Sequence, residues 1–244
     1  MKRTLAACLC ALLGGLVSAA GFAETSTVTG SVTMVRSNGS PRTDSDTGIV
    51  VWLTPIPNRP AAATADRSAP VRPKIVQRNK RFETRLLAVE VGSTVDFPNL
   101  DNFFHNVFSQ FDGRRFDLGL YEAGDTKSVK FQRAGVCYIF CNIHSQMSAV
   151  VVVVESPYFV RLTTPGEFRI PELPFGRYQL NVWAERCSSE TLKAASRQVI
   201  VQGTQTTVGT IVLRESRELM TVHPNKHGKE YDTPVLSSPI YIQP

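Results

Sequence analysis

Residues 135–155 read GVCYIFCNIHSQMSAVVVVVE. A β-branched and aromatic run ends at Cys141. A short loop rich in thiol, imidazole and thioether groups follows, and then five valines in a row, Val150 to Val154. Both flanking runs have the composition of strands. A run that is apolar at every position suits a strand covered on both faces, as in a sandwich interior. Cys137 and Cys141 lie four residues apart. An extended strand holds such a pair roughly 13 Å apart, too far for a disulfide.

The rest of the chain has the same character. Strand-like segments are expected at 27–35, 48–54, 86–91, 94–98, 126–131, 137–140 and 147–155. Gly92-Ser93 and Gly124-Asp125 supply turns between them. A second β block is expected over 158–162, 167–170, 177–185, 197–201 and 207–213, with RYQLNV at 177–182 alternating cleanly. Residues 56–73 hold prolines around Ala61-Ala62-Ala63 and read as a linker. Residues 215–244 lose periodicity, carry four prolines and read as an extended tail. Only 190–196 offers a turn or two of helix. The fold class is all-β, with two sandwiches.

The apolar fraction of 42% against 20% charged residues excludes a disordered chain. Five Cys in 244 residues exclude a disulfide-knotted miniprotein. The N-terminus is an export signal: Lys2 and Arg3, an uncharged apolar or small run from Leu5 to Ala20, then small-residue exits, with cleavage expected after Ala23. The run is short for a membrane span, and the mature chain is expected to be soluble, without stable membrane insertion. The 27 Lys and Arg against 21 Asp and Glu give +6, and loss of Lys2 and Arg3 leaves +4. That excess forms no basic run, so no nucleic-acid partner is implied. Export removes Cys8 and Cys10 and leaves Cys137, Cys141 and Cys187, an odd number for an oxidising compartment. A Cys137–Cys187 bridge stays open, and at least one thiol needs another role.

Cys141-Asn142-Ile143-His144-Ser145-Gln146-Met147 supplies such a role. Upstream, His105 follows the segment 94–98 in Phe103-Phe104-His105-Asn106-Val107. Two imidazoles, one thiolate and a weak thioether form the ligand set of a blue-copper electron-transfer site. The soft Cys141 thiolate bonds covalently to copper. His105 and His144 offer nitrogens that serve both oxidation states. Met147 binds weakly, so the metal changes state with little ligand movement.

The V-x-F-x-N stretch ending at Asn99, the His105-Asn106-Val107 segment and the C-x2-H-x2-M loop together resemble the cupredoxins, with a loop spacing similar to amicyanin. The resemblance covers residues 74–156. It implies a Greek-key sandwich of eight strands and one type 1 copper ion. It also implies that Asn106 ties the two ligand loops together, and that the His144 edge is an electron port ringed by Phe103, Phe104 and Met147. The second block resembles the transthyretin-like or carboxypeptidase-regulatory-like sandwiches through GEFRI at 166–170, LPFG at 173–176 and RYQLNV. Residues 24–55 have the shape of that fold's opening strands. The expectation is a discontinuous smaller sandwich, 24–55 with 157–214, interrupted by the copper unit.

Bland alternatives stand beside each residue. Cys141 alone reads as a buried core thiol, His144 as a surface residue, and Met147 as core filler. Zinc does not take Met as a normal ligand, and C-x-x-C-H haem attachment is absent. Cys-His nucleophilic catalysis needs an oriented base. His223 and His227 in HPNKH read as part of a solvated tail with Lys226, Lys229 and Arg217. The function expected is a periplasmic type 1 copper protein, a one-electron carrier and not an enzyme, passing electrons between redox protein partners. Copper handling or a scaffold role without electron shuttling is the alternative. Multicopper catalysis lacks the further histidines it needs.

Overall fold

The computed structural model describes residues 24–43, 48–57, 72–110, 114–216 and 223–230. The export signal and most of the Pro/Ala-rich linker therefore lie outside the described residues. Two β units share this chain, and their strands interleave along the sequence.

The first unit draws on both ends. Strand β1 (Thr25–Val35) sends Val28, Val32 and Met34 inward. It takes the short β2 (Pro41–Arg42) along one edge. Strand β3 (Ile49–Ile56) lies in a second sheet. Apart from β2, the partners of both strands come more than a hundred residues later, from β13 (Phe159–Leu162), β14 (Gly166–Pro174), β15 (Gly176–Ala184) and β17 (Gln205–Arg214), and β16 (Arg197–Val201) pairs with β15. One sheet runs β14-β1-β17, the other β13-β3-β15-β16. Their inner faces bury Val28, Val32, Leu53, Phe168, Leu180, Ile211 and Leu213 in one core. The short helix α1 (Ser189–Ala195) is capped by Ser188, whose side chain accepts from the Thr191 N–H at 3.2 Å.

The second unit lies between β3 and β13. A hairpin of β4 (Gln77–Arg78) and β5 (Arg81–Phe82) turns on Asn79 and Lys80, both at positive φ, 53° and 56°. That is the conformation a two-residue hairpin turn demands. Strands β6 (Leu86–Glu90), β7 (Thr94–Pro98), β8 (His105–Ser109), β9 (Phe116–Tyr121), β10 (Thr126–Lys130), β11 (Gly135–Phe140) and β12 (Ser148–Val154) follow. Five form one sheet in the order β6-β12-β11-β8-β9, and β7 pairs with β10. Bridges from Lys74 to Asp96 and from Gln77 to Asn99 bind the entering chain to the β7 side.

Besides the two-residue strands β4 and β5, two longer strands escape a reading of the sequence. Strand β8 starts at His105, where a loop is expected, because β11 and β9 hold it on both sides and all five residues are buried. Strand β9 holds Gly119 at φ 67° and pairs with β8 through a register shift, which hides its alternation.

The valine run is covered on both faces. Ala149, Val151 and Val153 join Val95, Phe97, Val107, Ile139, Cys141 and Met147 in the core of this unit. Val150, Val152 and Val154 join Leu86, Val50 and Trp183 in a third cluster. Because side chains alternate along a strand, one face of β12 serves its own sandwich and the other packs on β3 and β15 of the first unit. Arg85 and Glu185 add an ion pair of 2.7 Å between the units.

Two expectations are corrected, and one pairing that the sequence left open is decided. Residues 223–230 are not wholly solvated: His223 is buried against β8 and β11 and Lys226 is bonded to the second unit, while Pro224 and residues 227–230 are exposed as a solvated tail would be. The remaining residues of the expected tail beyond Ser216 lie outside the described residues. Cys137 and Cys187 make no disulfide; each is a free buried thiol, in different cores. Met147 is fully buried, so it takes no part in an exposed ring. Among the described residues, no helix is long and apolar enough to cross a membrane.

Candidate metal centre

Strand β7 ends in Pro98, and Asn99 turns the chain toward β8. Asn99 is fully buried, and its amide donates to the carbonyls of Phe103, Tyr121 and Glu122 at 2.8, 3.3 and 3.1 Å. Its Oδ1 accepts from the Asp101 N–H at 3.1 Å. A single amide thus shapes the turn that delivers His105 to the first position of β8. Strand β11 delivers Cys141 from the neighbouring position in the same sheet. The loop from Cys141 to Met147 closes on itself: the Cys141 N–H donates to the Met147 carbonyl at 3.2 Å, and the Met147 N–H to the His144 carbonyl at 3.0 Å.

This geometry brings three donors together. Cys141 Sγ lies 3.7 Å from His105 Nδ1 and 3.7 Å from His144 Nδ1. All three donor atoms fall within 4.8 Å of one another. Bonds of about 2.0 Å to nitrogen and 2.3 Å to sulfur, opened at about 120°, separate the donors by about 3.7 Å. His105, Cys141 and His144 are therefore spaced so that they would hold one metal ion between them. The imidazole rings stand at 62° to each other, 5.0 Å apart, and Phe103 packs against both, at 5.1 Å from His105 and 5.8 Å from His144. Met147 is buried in the same core as Cys141.

The protonation states suit metal binding. Burial, then the neighbouring His105 and Lys80, pull His144 down to about 4, so its ring is neutral at pH 7 and offers a lone pair. Burial pushes the Cys141 thiol up, although the backbone N–H groups of Asn106, Ile143 and His144 favour the thiolate. A bound cation would complete what those N–H groups begin, since a coordinating thiol is deprotonated by its metal. Cys137 stands apart from the cluster. Its thiol donates to Ser109 Oγ at 3.2 Å, and burial pushes its pKa up, which keeps it neutral.

The supporting residues are only partly those expected. Asn106 Oδ1 accepts from the Asn142 N–H at 3.2 Å, linking β8 to the Cys141 loop. Asp101 is an addition that the sequence reading lacks. Its Oδ2 lies 2.7 Å from His105 Nε2, on the far side of the ring from the donor cluster. The turn of the β4–β5 hairpin holds that carboxylate, with N–H groups of Asn79 and Lys80 donating at 2.6 and 3.0 Å. Burial opposes the charge on Asp101, but the bonds from His105, Lys80 and Asn79 outweigh it and lower its pKa. The only sequence signal is an Asp four residues before the His, in DNFFH, and it has no meaning until the turn is folded. A carboxylate behind a ligating imidazole fixes its tautomer and orientation. Asp101→Ala is expected to weaken metal affinity about 10- to 100-fold, measured by competition with a chromophoric chelator.

Phe104 is 51% exposed and Leu100 48%. Phe103 and His144 are half-buried. Lys80 Nζ sits 5.4 Å from the centre of the Phe103 ring. Phe103 and Lys80 therefore lie beside the His144 ring.

Residues 71–154 match the family model of copper binding proteins of the plastocyanin/azurin family. Copper is the cofactor of that family, and the His105–Cys141–His144 cluster is the candidate place for it in this chain. No curated protein matches the chain significantly. Among solved structures, an oxidised point mutant of amicyanin is 27% identical, over 38% of this chain and 90% of that one, with a TM-score of 0.33. A purple cupredoxin from Nitrosopumilus maritimus is 23% identical, over 34% of this chain and 99% of that one, with a TM-score of 0.31.

Proposed function

We propose that this protein is a periplasmic type 1 copper protein that carries one electron at a time between redox proteins. The observation that carries the reading is the convergence of His105 Nδ1, Cys141 Sγ and His144 Nδ1 within 4.8 Å, at the end of a β sandwich. Met147 would complete the ligand set as a weak thioether donor, and Asn106 would hold the two ligand loops in register. Copper held by these residues would supply the chemistry, the gain and loss of one electron. The chain's own residues keep the rearrangement that accompanies this exchange small. Asp101 and Phe103 fix the His105 ring, Asn106 fixes the Cys141 loop, and the core excludes water from the thiolate. The half-buried His144 edge, with Phe103 beside it, is where a partner approaches.

The first unit is read as one transthyretin-like sandwich, 24–55 with 157–214, into which the copper unit of residues 74–156 is inserted. What supports this is the pairing of β1 with β14 and β17, and of β3 with β13 and β15. Such a sandwich brings no chemistry of its own and serves to bind or space. The export pattern over residues 1–23 supports the periplasmic location.

Copper added to the full mature chain tests the reading. The oxidised protein is expected to be intensely coloured through thiolate-to-copper charge transfer, to show the paramagnetic signal of a covalent Cu–thiolate centre, and to bleach reversibly on one-electron reduction. A copper-loaded protein without that band would reject it.

A further inference from the structure

The segment 223–230 lies outside the stretch that matches the copper-protein family. It nevertheless contacts the loop that carries three of the four candidate ligands. His223 is 2% exposed, and its ring stacks on Phe140 at 4.2 Å and 29°. Phe140 is the last residue of β11, directly before Cys141. The ring also meets Phe108 at 6.1 Å, and the carbonyls of Met147 and His144 adjoin it. His223 therefore sits under the ligand loop, where a tail residue would otherwise be in water.

Three residues further on, the chain bonds to the loop itself. The Lys226 N–H donates to Asn142 Oδ1 at 2.8 Å. Lys226 Nζ pairs with Asp117 Oδ2 at 2.7 Å, and Gln110 donates its amide to the Lys226 carbonyl. Asp117 Oδ1 accepts from Asn106 Nδ2 at 2.7 Å, and Asn106 Oδ1 accepts from the Asn142 N–H. These bonds close a ring through Asn142, Lys226, Asp117 and Asn106. The ring joins the ligand loop, the tail, β9 and β8. The tail holds its own shape for this contact: Asn225 Oδ1 accepts from the N–H groups of His227 and Lys229 at 2.9 and 3.1 Å, and Gly228 turns at φ 74°.

We propose that residues 223–230 are a strap on the metal centre: they hold the Cys141–Met147 loop closed from outside the copper unit, so that opening the loop requires release of the tail. The consequence for copper rests on the reading of that loop as the copper loop. With the strap in place the ligands stay assembled with or without the ion, and the ion leaves only when tail and loop open together. A loop that opens rarely also moves little when the metal changes charge. His223 and Lys226 are positioning residues; they act through Phe140, Asn142 and Asp117.

Amide hydrogen exchange in the metal-free full chain tests the strap without reference to copper. The readouts are the amides of Cys141, Asn142 and Met147. In His223→Ala they are expected to exchange about tenfold faster or more, as loss of a buried contact and its neighbouring hydrogen bond implies. His223→Phe restores a flat ring on Phe140 and is expected to exchange like the native chain. Lys226→Met leaves the core untouched and is expected to give a smaller acceleration at the same amides. In copper-loaded protein, bleaching by excess chelator should accelerate in the same order. Exchange unchanged in both His223→Ala and Lys226→Met would overturn the strap, as would an acceleration spread evenly over both sandwiches. A native chain that forms no coloured copper complex while the exchange pattern holds would remove the copper reading and leave the strap standing.

Discussion

Cys141→Ser is expected to abolish the visible charge-transfer band of the copper-loaded protein completely. The sulfur is the only soft anionic donor in the cluster, buried at 0% exposure between two imidazole nitrogens at 3.7 Å. A serine hydroxyl at that place is a hard, neutral donor that copper does not deprotonate as it does a thiol. The covalent Cu–S bond that produces the colour would be gone. Affinity should fall as well, and by more than the roughly 10- to 100-fold that loss of an outer partner brings. The size match of serine and cysteine makes the fold itself insensitive. The metal-free variant should therefore melt close to the native temperature. Absorption and paramagnetic resonance read the first effect, and chelator competition the second. Retention of the band in Cys141→Ser would mean that another thiol holds the copper. Cys137 is the nearest in sequence, but it is bonded to Ser109 and separate from the cluster.

Trp183→Ala is expected to be the most destabilising single change outside the metal centre, at about 3–5 kcal/mol. Trp183 lies on β15, opposite Val50 of β3. Its side chain packs in the cluster formed by Leu86, Val150, Val152 and Val154 of the copper unit. It is 8% exposed, so its removal leaves a cavity between the two sandwiches. Neither core loses a residue. The native chain should unfold in one step because each sandwich covers an apolar face of the other. The variant should unfold in two, with the copper colour and the far-ultraviolet signal lost at different temperatures. Copper binding at low temperature should be unchanged, since the ligands lie on the opposite face of β12. A single transition displaced by less than about 1 kcal/mol would mean that the contact between the units contributes little.

Residue types and local spacing carried much of this protein's description. Strand composition identified an all-β chain and most of its strands to within one or two residues. The V-x-F-x-N strand, the H-N pair and the C-x2-H-x2-M loop singled out the donors that the fold brings to one point. Local chemistry suffices for Cys141, His144 and Met147, because a loop of seven residues cannot separate them far; His105 reaches them only because β8 pairs with β11. The same reasoning failed where a residue's partner is distant in the chain. Asp101 has no role until the hairpin turn at Asn79 and Lys80 holds it against His105. His105 is a strand residue only because β9 and β11 flank it.

The valine run shows the same division. Its composition demanded cover on both faces, and both faces are covered. That one of the covers is β3 and β15 of another unit follows from pairing across the whole chain, which no window of sequence contains. The stretch HPNKH is polar, proline-bearing and aperiodic, so by composition it belongs in water. It is held on the protein by Phe140, Asn142 and Asp117, which come far earlier in the chain. Spacing and residue type thus singled out the side chains that are the candidate metal ligands. Long-range packing determined what orients those atoms, what closes over them and which surface remains for a partner, because each of these depends on groups that meet only after the chain has folded.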